Sequence, residues 1–151
     1  MMKRVLITAW VVAAASIGFV ALAEAVEPAD KPFIHVSTSP SRLDLGTAYF
    51  SGPRNVPKAL TVQVDSNCLH GPIMISATTL KHDLGASIPP EHILVRTKAT
   101  RGFVPMDRPV AISAPTSGSH RIVLDLQVRT ELKHLAGKYR GMFTVTVMPP
   151  L

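Results

Sequence analysis

A chain of 151 residues, 46% hydrophobic and 17% charged, is too apolar for a disordered tail and about the length of one domain, which excludes a large multidomain enzyme. Its formal net charge of +6 is scattered, with none of the long runs of like charge that mark a nucleic-acid or lipid-headgroup tail. The single cysteine, Cys68, permits no intramolecular disulfide, so the fold must rest on its core.

The first segment, Met1 to Ala25, reads as an export signal. Lys3 and Arg4 form a short positive region, Val5 to Ala23 carries no charge, and Ala21-Leu22-Ala23 and Ala23-Glu24-Ala25 each have the small residues of a cleavage site. The uncharged run of 19 residues also lies within the length range of a membrane anchor, but the polar shift at Glu24, Glu27 and Asp30 favours cleavage, at the Ala25-Val26 bond. No cysteine follows the run directly, so a lipid anchor is not expected. The expected mature chain, 26–151, has a net charge of +5 and about 40% hydrophobic residues, ordinary for a soluble domain.

From there the apolar residues recur at period two, the signature of half-buried antiparallel strands. Strands are predicted near 33–38, 42–46, 58–66, 72–80, 92–98, 109–114, 120–130 and 139–148. Leu60, Val62 and Val64 alternate with Thr61, Gln63 and Asp65; Phe143, Val145 and Val147 alternate with Met142, Thr144, Thr146 and Met148. Thirteen prolines and nine glycines fall almost entirely between these runs. Pro89-Pro90 reads as a rigid loop feeding a strand, and Glu131 to Ala136 as a single turn. The expected fold is all-β, an Ig-like antiparallel β-sandwich of about 7–9 strands, in one domain spanning 26–151.

The C-terminal stretch Ala136-Gly137-Lys138-Tyr139, followed by alternating Phe143-Thr144-Val145-Thr146-Val147, resembles the ending of bacterial exported Ig-like β-sandwiches, among them pilins of the spore-coat type. Leu43-Asp44-Leu45-Gly46 and Leu60-Thr61-Val62-Gln63-Val64 are similar to the opening strands of such modules. The resemblance covers about a third of the chain and implies a fold ending, with Gly137 permitting a tight turn and Tyr139 packing over the end of the sandwich. The cysteine pair of many such pilins is missing, and the arm Val26 to Ser41 is expected to pair within its own sandwich.

No grouping supplies a nucleophile, a base and an orienting residue: G-x-S-x-G is absent, and the aspartates sit singly at turns and strands. The chain is therefore read as non-catalytic, with no cofactor. Six histidines, His35, His70, His82, His92, His120 and His134, raise metal binding as a rival reading. Within it Cys68, His70 and Met74 form the soft thiolate, imidazole and thioether set that suits copper. Cys68 is otherwise a small hydrophobe at a strand end. Arg96, Lys98 and Arg101, with Arg121 or Arg129, are the candidate face for a polyanion or glycan. The leading expectation is a secreted or periplasmic structural or protein-interaction module of the bacterial cell envelope. It would use an envelope protein or a second copy as partner, with no nucleic acid and no membrane span after cleavage.

Overall fold

A computed structural model describes residues 31–43, 51–134 and 136–148. The expected signal segment lies outside these residues, as do positions 44–46 of the predicted second strand. Among the described residues the fold is all-β, with every strand pair antiparallel.

Eleven strands appear in chain order: β1 (Ile34–Ser39), β2 (Gly52–Ser66), β3 (Ile73–Ala77), β4 (Leu80–His82), β5 (Ser87–Ile88), β6 (Ile93–Arg96), β7 (Val104–Pro105), β8 (Val110–Ser113), β9 (His120–Thr130), β10 (Tyr139–Arg140) and β11 (Phe143–Val147). They form a five-stranded sheet β1-β2-β9-β6-β7 and two three-stranded sheets, β11-β3-β8 and β10-β4-β5. The alternation seen in the sequence decides which side chains face inward. Leu60, Val62, Val64, Leu124, Leu126 and Val128 from the large sheet meet Ile73, Ile75, Val110 and Ile112 from the second, and Leu80 and Ile88 from the third, in one core. The large sheet and the two smaller ones thus pack as a sandwich. As expected, the described part of the arm pairs within its own sheet, with β1 running from Ile34 opposite Ser66 to Ser39 opposite Thr61.

Four departures from the sequence expectation have local causes. β2 begins at Gly52, ahead of the expected residue 58, and absorbs a bulge in which Pro57, Lys58 and Ala59 stand against Asp125 alone. The predicted strand 72–80 divides into β3 and β4, and 139–148 into β10 and β11. Both divisions share one cause: the register slips between Tyr139–His82 and Phe143–Ala77, and Thr78 and Met142 close the gap. The Met142 N–H donates to the Thr78 hydroxyl at 2.9 Å, and the Thr78 N–H to the Met142 carbonyl, also at 2.9 Å. The predicted strand 92–98 shortens to β6 because the Thr97 hydroxyl accepts the Ala99 N–H at 2.9 Å and turns the chain. The Pro89-Pro90 loop tightens into a 3₁₀ turn over Pro90–His92, with Pro90 at its first position.

The turn at Gly137 matches its expected role. Gly137 has φ +145°, and a Cβ there would collide with the His82 ring. The Tyr139 ring packs against the same imidazole at 5.0 Å.

Candidate functional site

Strand β1 closes one side of the five-stranded sheet and β11 one side of its partner sheet, and among the described residues neither pairs on its outer edge. Between them runs a cleft of about 1160 Å³. Its walls are the half-buried inward residues of the two strands, Val36 on β1 and Phe143 and Val145 on β11, and its floor is Leu60, Val128, Leu80 and Ile88. Arg42, Arg54, Lys138 and Arg140 also line it, and among the described residues no carboxylate does. Asp83 reaches Arg140 from outside, with Nη1 and Oδ1 3.3 Å apart and both side chains largely solvated. Among the described residues the cleft is an apolar trough lined by cations, flanked by two strands with no neighbour on their outer edges.

Four of the six histidines form two pairs. His70 is fully buried just before β3, its backbone bonded to Thr116 in both directions at 3.0 and 3.2 Å. The half-buried His120, the first residue of β9, lies with its ring 5.7 Å from that of His70 and 14° from parallel. The sequence groups His70 with Cys68 and Met74, but the structure places His120 beside it. Cys68 is half-buried with Sγ 3.7 Å from the Phe33 carbonyl, and Met74, alternating with the buried Ile73 and Ile75, lies on the outer face of β3. Sequence reasoning misses His120 because fifty positions separate it from His70, and spacing carries no signal for that approach.

His92 and His134 make the second pair, rings 5.8 Å apart and edge to face. Glu131 links them: Oε1 is 3.3 Å from His92 Nε2, and its N–H donates to His134 Nδ1 at 2.9 Å. Lys133, 2.7 Å from Glu131 Oε2, chiefly holds that carboxyl below its ordinary value. Burial chiefly pushes His134 down, against the opposing pull of Glu131. Because Nδ1 of His134 accepts the Glu131 N–H, in the neutral ring Nε2 carries the hydrogen and has no lone pair for a metal. Among the described residues no three of His, Cys, Asp or Glu are grouped to hold a metal ion.

Of the basic residues singled out, Arg96 is engaged. Its guanidinium lies 2.7 Å from Asp125 Oδ2 and 4.6 Å from the centre of the Phe103 ring. Arg121 and Arg129 alternate with the core residues of β9 and so share the outer face with Asp125, while Lys98 and Arg101 stand exposed in the turn after β6. That outer face also carries Asp65, and is of mixed sign.

The chain matches no protein-family model and no curated protein sequence. Among the described residues no helix is long and apolar enough to cross a membrane.

Proposed function

We propose that the chain is an exported, non-catalytic interaction module of the bacterial cell envelope that takes up an extended, acidic segment of a partner protein in the trough between β1 and β11. The observation that carries this reading is the coincidence, among the described residues, of two strand edges without a neighbour and one cleft whose lining charges are positive. An extended segment laid there makes backbone hydrogen bonds to an edge strand and places alternate apolar side chains on the floor, while flanking carboxylates meet Lys138 and Arg140. The uncharged run after Lys3 and Arg4 supports export, and the resemblance of the C-terminal strand supports an envelope module.

The reading is tested with a synthetic peptide of alternating valine and threonine flanked by glutamates, titrated into the mature chain at low and high salt. Saturable binding is expected, weakening with salt and falling about tenfold or more in the double variant Lys138→Glu, Arg140→Glu. Equal affinity for the charge-reversed peptide would overturn the acidic partner. Self-association at the concentration used, lost in the same variant, would replace it with a second copy of this chain.

A further inference from the structure

The His70–His120 pair has a chemistry independent of the trough. The His70 Nδ1 lies 2.7 Å from the Gly71 carbonyl, which can only accept, so that nitrogen carries the hydrogen. His120 Nδ1 faces the Gly118 carbonyl in the same sense at 3.4 Å. In the neutral rings both Nε2 atoms therefore present lone pairs, and both are buried without a protein partner. Buried ring nitrogens without a partner, which His92 Nδ1 and His134 Nε2 also are, call for an explanation. A ring N–H given to a backbone carbonyl is also the usual second contact of a metal-ligating histidine.

We propose that His70 and His120 form a two-nitrogen site for a soft monovalent cation, copper(I) or its analogue silver(I). Two imidazoles on one ion place their ring centres at most about 6.2 Å apart, taking about 2.0 Å for each metal–nitrogen bond. The observed 5.7 Å between the ring centres falls inside that limit. With no third His, Cys, Asp or Glu grouped among the described residues, zinc lacks its four ligands, and calcium or magnesium lacks oxygen donors. A d¹⁰ monovalent ion accepts two-coordination and favours imidazole over water. The backbone is set in advance: His70 is tied to Thr116 on both sides, and the Gly118 N–H donates to the Ser66 carbonyl at 3.0 Å. His120, being only half-buried, gives the side from which an ion enters.

The test is titration of the mature, full chain with silver(I), and with copper(I) under anaerobic reductant, observed through the imidazole ¹⁵N resonances. One equivalent is expected to move the Nε2 resonances of His70 and His120 together and leave His92 and His134 unmoved. Affinity should fall well over about tenfold in His120→Gln, whose site is half-exposed and tolerant of substitution, and stay unchanged in Cys68→Ser and Met74→Leu. Unmoved Nε2 resonances on the wild-type chain, which needs no variant to fold, would overturn the proposal. So would binding that survives His120→Gln and disappears in Cys68→Ser.

Discussion

Asp125 ties three strands with one carboxylate. Its Oδ1 accepts the Lys58 N–H at 2.8 Å, where the bulge leaves Lys58 at φ +49°, and its Oδ2 accepts from Arg96 at 2.7 Å, so β2, β9 and β6 are tied at one point. The Lys58 N–H first, and Arg96 second, hold this carboxyl below its ordinary value of 3.8. A depressed carboxyl contributes stability that is complete above the unfolded value and lost as pH falls through the folded one. Asp125→Asn is therefore expected to lose about 1 kcal/mol at neutral pH, a figure reduced because a quarter of the side chain is solvated. The gap from wild type should stay level down to about pH 4 and close below it, as urea midpoints measured across that range would show. At Gly137 an added Cβ has nowhere to go: Gly137→Ala should lose about 2 kcal/mol or more, and His82→Ala should recover part of it by removing the ring in the way. Gly137 and Tyr139 are legible as a turn from the residues alone. The bulge at Lys58 is not, since nothing near Pro57 announces a carboxylate, 67 positions beyond Lys58, that accepts the Lys58 N–H.

At the scale of elements, the strands that match expectation are those whose pairing agrees with their own alternation. β9, His120–Thr130, coincides with the predicted run because inward Leu124, Leu126 and Val128 alternate with Asp125, Gln127 and Arg129. The ribbon of β3–β4 with β10–β11 does not match, because alternation is silent about a slip that depends on one hydroxyl. Thr78→Val should leave the Met142 N–H without that acceptor, lowering stability by about 1 kcal/mol and speeding exchange of the Met142 amide. Unchanged exchange there would show that the hydroxyl does not hold the break. β5 and β7, at two residues each, are too short for any period to register.

For the whole molecule, three sheets share one core, and the large and second sheets stand apart along the β1 and β11 edges. The apolar face of β11 is readable in Phe143, Val145 and Val147, but its position across a cleft from Val36 arises only when the sheets close. The same closure brings His120 to His70, a pairing concealed in the sequence behind the nearer Cys68 and Met74. The proposed function requires that the edges bounding this trough receive an extended acidic segment. Amide hydrogen exchange of the chain, with and without the glutamate-flanked peptide, tests that requirement most directly. Slowed exchange confined to Ile34–Ser39 and Phe143–Val147 is predicted on adding the peptide. Protection of both edges already complete in the free monomer, with no change on adding the peptide, would contradict it.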